Sequence, residues 1–166
     1  MKLGGNEQEH LILPMYAKDW EQVREIYAEG ITTGQATFET KVPSWDEWDS
    51  RHLKHSRFVM RDGACILGWA ALSPVSTREA YRGVAEVSVY VREEARGKGI
   101  GGFLLEALIK NSEQYGTWTL QASIFPENEV SIKLHLRCGF RIVGRRERIG
   151  KLNDEWRDTM LLERRT

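Results

Sequence analysis

The sequence predicts a mixed α/β domain built on a central, mostly antiparallel sheet, and three observations carry that expectation. Residues 85–92 alternate, with Ala85, Val87, Val89 and Val91 on one side and Glu86, Ser88, Tyr90 and Arg92 on the other, as in a β-strand. After a glycine-rich turn, Ile100, Phe103, Leu104, Ala107 and Leu108 recur at helical spacing, and another alternating stretch follows at 118–124, so strand, helix and strand make one parallel crossover. Elsewhere, short apolar runs are joined by turn-sized connectors. A length of 166 residues with 41% apolar content suits one domain, residues 1–166, with a substantial core.

The elements follow in order as β-α-α-β-β-β-α-β-α-β-β. Residues 10–15 form a short apolar strand, and Asp19 is placed to cap a helix over 20–29 that buries Val23, Ile26 and Tyr27 and stops at Gly30. Residues 31–43, rich in threonine and glycine, read as a long loop carrying one aromatic, Phe38; loops of this length in compact domains are often functional. Ser44 caps a second helix reaching about residue 54, with Trp45 and Trp48 on its buried face. His52 and His55 lack further ligands for a metal and are expected on a solvated helix end.

Residues 57–61 and 65–72, joined through Asp62-Gly63, make a hairpin ended by Pro74. The polar connector 73–83 holds Arg78, Tyr81 and Arg82 and leads into the strand of Glu86; an arginine fork with a phenol beside it suits a carboxylate or phosphinate. After the crossover, Asn128, Ser131 and His135 fall within ~60° of one another on a helix that advances ~100° per residue. Residues 141–149 and 156–162 are two closing strands around a turn at 151–154, and the run Arg145-Arg146-x-Arg148, interrupted by Glu147, is expected on a solvated face.

The turn Arg96-Gly97-Lys98-Gly99-Ile100-Gly101-Gly102 has its own chemistry. Glycines bare the backbone amides, the helix start adds roughly half a positive charge, and Arg96 and Lys98 add full ones, so a phosphate fits there. Gly97-x-Gly99-x-x-Gly102 matches the dinucleotide string poorly. Five residues separate it from the strand, and no acidic residue in 118–124 would hold a ribose. No Gly-Lys-Ser/Thr closes a P-loop.

Lys plus Arg and Asp plus Glu are equal at 24 each, which disfavours nucleic acid and anionic membranes as partners and leaves a small molecule. Residues 1–7 lack a secretory leader and no run has the ~18 apolar residues of a membrane span, so a cytoplasmic location is expected. Cys65 and Cys138 have no metal or bridge spacing and are expected as buried thiols.

Arg96-x-x-Gly99-x-Gly101 at a strand-to-helix junction resembles the coenzyme A pyrophosphate loop of the GCN5-related N-acetyltransferase (GNAT) superfamily. Asn128, Ser131 and His135 in a helix ending at Gly139-Phe140 resemble its second cofactor motif. Gly34-Gln35-Ala36-Thr37-Phe38-Glu39-Thr40 and Arg78-Glu79-Ala80-Tyr81-Arg82-Gly83 resemble the substrate loops of the phosphinothricin and methionine sulfoximine acetyltransferase branch. The likeness spans nearly the whole chain.

The resemblance implies a GNAT-type domain that moves acetyl from acetyl-CoA to the primary amine of a small amino-acid-type acceptor, without a metal. Cofactor contacts would come from the backbone of Val89, Tyr90 and Val91, the turn residues Arg96, Gly97, Lys98, Gly99, Ile100, Gly101 and Gly102, and Asn128 and Ser131. Phe38, Arg78, Glu79, Ala80 and Tyr81 would meet the acceptor. An attacking ammonium must lose a proton, and Glu86 is the first candidate base, directly or through a water. His135 is the second, as base or as acid toward the departing thiolate; the wider superfamily has tyrosine there and this branch histidine. The Val89 amide could meet the oxyanion. The likeness also implies a homodimer whose loops shape each other's sites. Two alternatives stand beside this. One is a different acceptor, such as a polyamine, an aminoglycoside or a protein N-terminus, and the basic loop at Arg78 counts against the polycations. The other is a non-catalytic acyl-CoA sensor, against which Glu86 and His135 count.

Overall fold

The computed structural model describes residues 2–3 and 10–166; the stretch 1–7, on which the expected lack of a leader rests, lies outside the described residues except for Lys2 and Leu3. Among the described residues eight strands make one sheet: β1 (Lys2–Leu3), β2 (His10–Pro14), β3 (Phe58–Asp62), β4 (Cys65–Pro74), β5 (Val84–Val91), β6 (Thr119–Ile124), β7 (Arg141–Leu152) and β8 (Glu155–Arg165). They lie in the order β1-β2-β3-β4-β5-β6-β8-β7, and every neighbouring pair is antiparallel except β5 and β6. The helices are α1 (Trp20–Thr33), α2 (Trp45–Arg51), α3 (Ile100–Gln114) and α4 (Glu129–Arg137). With β1 set aside, the element order is the one expected from the sequence. Among the described residues no helix is long and apolar enough to cross a membrane.

The two faces of the sheet are covered differently. Leu104, Leu105 and Leu108 of α3 pack with Ala70, Leu72, Ala85 and Val87 on one face, each buried leucine contributing roughly 1.5–3 kcal/mol. Val23, Ile26 and Tyr27 of α1 and Trp48 of α2 pack with Val59, Trp69 and Ala71 on the other. Trp48 is buried edge-on to Trp69 at 5.6 Å, which makes it the core residue its helical spacing predicted.

Several local expectations are corrected. Helix α1 passes through Gly30 and ends at Thr33, with the left-handed Gly34 (φ 68°) as its stop. Gly30 is instead a contact residue: a Cβ there would lie 2.8 Å from the Tyr90 ring. Asp19 stands at the N-cap position of α1 as expected, but its side chain makes no capping hydrogen bond there. Its carboxylate accepts from the Tyr16 amide at 2.9 Å and pairs with Arg61 of β3, so a partner distant in sequence claims it. Helix α2 is capped as expected, Ser44 Oγ accepting from the Glu47 amide at 3.2 Å, but it ends at Arg51. His52 then stacks on Trp48 at 4.0 Å and His55 on Tyr115 at 4.3 Å, so neither lies free on a solvated helix end. Cys65 is exposed at the start of β4 and Cys138 is half-buried, so neither is the buried thiol expected.

Candidate active site

The site begins where two parallel strands part. β5 pairs with β6 only over Val84↔Thr119, Ala85↔Leu120 and Glu86↔Gln121, whereas its pairing with β4 continues to Gly68↔Val91. From Val87 onward one edge of β5 has no strand beside it among the described residues. The Arg92 amide donates to the Leu67 carbonyl of β4 at 2.7 Å. Alternation along an antiparallel ladder therefore turns the amides and carbonyls of Val89 and Val91 away from β4, into the opening. An extended guest chain with amides of its own would pair with that edge.

Beyond β5 the chain makes the glycine turn. Gly97 and Gly99 both sit at φ 79°, in the left-handed region where a side chain is strained. Gly99 precedes α3 without a side-chain cap. Three first-turn amides, on Ile100, Gly101 and Gly102, have no acceptor within the helix. A Cβ on Gly101 would lie 3.1 Å from Leu134, so its glycine lets α3 approach α4 closely. Arg96 reaches back to the Val91 carbonyl at 3.4 Å, which puts its charge beside the turn.

These parts enclose a cleft of about 450 Å³ between α3, α4 and the free edge of β5. Its lining includes Val89, Tyr90, Val91, Arg96, Gly97, Gly99, Ile100, Gly101, Gly102, Asn128 and Ser131; of the expected cofactor residues only Lys98 stands outside it. The Ile100 side chain is buried in the core, so only its backbone can serve a ligand. The Tyr90 phenol is stacked on Trp69 at 4.8 Å and meets Tyr27 edge-on, and burial pushes its pKa far up, so it stays neutral and structural.

A second, smaller cavity of about 230 Å³ adjoins the cleft on the Glu86 face of the sheet. Val89, Asn128, Ser131 and His135 line both, so the two meet at the Val89 edge and the face of α4. The pocket floor holds Glu86, Ser88, Ser123 and Thr159, and Phe38 is part of its wall. Phe38 lies edge-on to Phe125 at 4.9 Å, and a Cβ on Gly150 would come within 3.1 Å of its ring.

Glu86 is half-buried and accepts from Gln121 Nε2 at 3.4 Å. Arg82 instead pairs with Glu79 at 3.5 Å, and Arg78 lies over the Tyr81 ring at 5.6 Å, so neither neutralises the Glu86 carboxylate. Arg78, Glu79, Ala80 and Tyr81 are exposed and line neither cavity. The structure brings Glu86, His135 and Phe38 together and leaves that loop apart.

His135 is 4% exposed, and its Nδ1 lies 2.7 Å from the Ser131 carbonyl. A carbonyl can only accept, so Nδ1 carries the proton and the neutral ring presents the lone pair of Nε2. Burial lowers its pKa, more than the Ser131 bond raises it. Asn128 caps α4 by accepting from the Ser131 amide at 3.2 Å and donates to the Gln35 carbonyl at 3.2 Å, tying the helix to the Phe38 loop.

Several contributors, Thr159 among them, escaped the sequence reading. Ser123 and Gln121 are the polar positions of alternating β6, and that alternation was the available signal. Arg157 of β8 donates to the Gly34 carbonyl at 3.0 Å and to the Gln35 side chain at 3.0 Å while lying over Phe125 at 4.0 Å, clamping the Phe38 loop. No local pattern announces a clamp 122 residues away in sequence.

Residues 14–161 match the family described as "Acetyltransferase (GNAT) domain". The chain belongs to that acetyltransferase family. It is 39% identical over 98 residues to an L-methionine sulfoximine/L-methionine sulfone acetyltransferase of Pseudomonas paraeruginosa, a match spanning 59% of this chain and 57% of that relative. It is 35% identical over 154 residues to a phosphinothricin N-acetyltransferase of Alcaligenes faecalis, covering 88% of this chain and 77% of the relative. Among solved structures, a phosphinothricin acetyltransferase of Sinorhizobium meliloti in complex with AcCoA superposes with a TM-score of 0.85 at 31% identity, over 94% of this chain and 88% of that one.

Proposed function

We propose that the protein transfers acetyl from acetyl-CoA to the primary amine of a small amino-acid-type acceptor of the phosphinothricin, methionine sulfoximine or methionine sulfone class. The observation that carries this is the junction of the two cavities, where the open β5 edge meets His135, with the un-neutralised Glu86 carboxylate in the smaller cavity beside it. The names of the relatives point to the same chemistry.

In this reading the turn amides and Arg96 hold the cofactor pyrophosphate, with Lys98 adding charge from outside the cleft, and the outward backbone groups of Val89 and the Val91 amide hold its pantetheine amides. The acceptor occupies the smaller cavity, whose volume lies below the ~300–1,000 Å³ usual for drug-sized ligands and so favours a small amine. Glu86 attracts the ammonium and takes its proton, directly or through a water. His135, neutral with a lone pair on Nε2, is the second group able to take one. The Val89 amide faces the opening, where an oxyanion would form. Assembly as a homodimer is part of the proposal, since the exposed Arg78–Tyr81 loop would need a second copy to border an acceptor.

Thiol release from acetyl-CoA, followed across a panel of amino acid analogues, polyamines and peptides, tests this reading. Release with methionine sulfone or phosphinothricin above the rest is expected. Release only with polyamines or peptides would replace the acceptor class. Silence across the panel, with acetyl-CoA binding seen by calorimetry, would make the protein an acyl-CoA sensor.

A further inference from the structure

Strand β7 carries a run of arginines that its alternation splits. Arg145 pairs with Asp158 at 2.7 Å, and the Arg148 amide donates to the same carboxylate at 2.8 Å. Arg146 points the other way, toward the face that holds Glu86. Its Nη2 donates to Ser123 Oγ at 2.7 Å and its Nε to Thr159 Oγ1 at 3.2 Å. On the closing hairpin Arg141, Arg145, Arg157 and Arg164 each meet a carboxylate. Among the described residues Arg146 meets none, although it is half-buried. This corrects the expectation that the whole run lies on a solvated face.

Ser123 and Thr159 both line the small pocket. A hydroxyl that accepts from a guanidinium must send its own proton elsewhere. Both hydroxyls are therefore left to donate, with a full positive charge directly behind them. Such a surface favours an anion, because hydrogen bonds to charged partners are the stronger ones and the guanidinium stays protonated. The same pocket holds the Glu86 carboxylate. It thus presents an acidic group and an anion-binding group to one small ligand, a pattern complementary to a zwitterion.

Resting on the amino-acid acceptor proposed above, we infer that Arg146, acting through Ser123 and Thr159, is the specificity determinant that reads the acceptor's carboxylate. The exposed Arg78 was the expected anion reader, and it lies outside the pocket. Arg146 sets selection for α-amino acids over plain amines; Glu86 and His135 handle the proton.

Methionine sulfone and its carboxamide test this, because the carboxylate is the sulfone's only anion. The readout is the ratio of kcat/KM for acid over amide, in which differences in amine basicity cancel between wild type and variant. Wild type favours the acid. Arg146→Met lowers the ratio ~10- to 100-fold through the KM of the acid, leaving the amide and the acetyl-CoA KM nearly unchanged, and Arg146→Lys restores part of the preference. Ser123→Ala, which keeps the cation, lowers the ratio in the same direction and serves if Arg146→Met fails to fold. Equal losses on acid and amide, an unchanged ratio, or a wild type without preference for the acid would each overturn the assignment while leaving acetyl transfer intact. Failure of wild type to acetylate any amino acid analogue would overturn the acceptor class itself, and the inference with it.

Discussion

The Ser131 carbonyl holds His135 Nδ1 at 2.7 Å and thereby fixes which nitrogen of a buried imidazole is left to react. Burial lowers the pKa of that ring below its ordinary ~6.5, so Nε2 is unprotonated through neutral pH. If His135 accepts a proton during turnover, kcat/KM falls on the acid side only below ~6.5. A pH profile of wild type against His135→Asn checks this: the variant loses the His135 limb, and an acid limb identical in both would assign it to another group.

Burial also lowers the pKa of His52 and His55, which links the three imidazoles to stability. Each folded pKa lies below its unfolded value, so the unfolded chain binds more protons once the pH drops below ~6.5. Stability is therefore lost as the pH falls through that point and on toward the folded values. Urea unfolding at pH 7.5 and 5.5 should show a lower midpoint at the acid value. His52→Gln should reduce the difference.

Glu86→Gln keeps the shape of the pocket floor and removes the proposed base. A kcat lower by ~10²- to 10⁴-fold is expected, with the acetyl-CoA KM little changed, because Glu86 faces the smaller cavity and not the cleft. Wild-type turnover in this variant would remove Glu86 from the mechanism.

Gly97→Ala meets no atom of the described residues within 4 Å, so its effect comes from the backbone at φ 79°. Holding alanine there costs about 1–2 kcal/mol, which the chain would relieve by reshaping the turn. Acetyl-CoA binding by calorimetry should weaken by roughly tenfold, with the KM for the acceptor unchanged. Unaltered cofactor affinity would place the pyrophosphate elsewhere.

Gly30→Ala sets two effects against each other. Alanine gains about 1 kcal/mol of helix propensity, but its Cβ would lie 2.8 Å from the Tyr90 ring. That ring is stacked against Trp69 and flanked by Tyr27, so it cannot swing aside. Overpacking of this kind costs about 1–3 kcal/mol and should win. Thermal unfolding should show a lower Tm; a higher one would mean the ring yields.

How far the sequence could be read depended on the range of each signal. Val84 to Gln114 was legible because alternation, glycines and helical spacing are local, and the turn and α3 lie where those patterns put them. Gly30 was misjudged because a stopping glycine and a packing glycine look alike until Tyr90, sixty residues on, is in place. Asp19 and Arg61 form a pair 42 residues apart, which no capping rule anticipates. Glu86, His135 and Phe38 were found from the family likeness, and the fold gathers them around one pocket. Ser123, Thr159 and Arg146 come together only through the register of β6, β8 and β7, which the sequence does not reveal.

The most direct measurement is mass spectrometry of the product formed from methionine sulfone and acetyl-CoA by wild type and by Glu86→Gln. Acetylation of the α-amine by wild type, and a large loss with Glu86→Gln, is the predicted result. An unmodified acceptor with wild type, or equal product from both proteins, would contradict acetyl transfer at the junction of the two cavities.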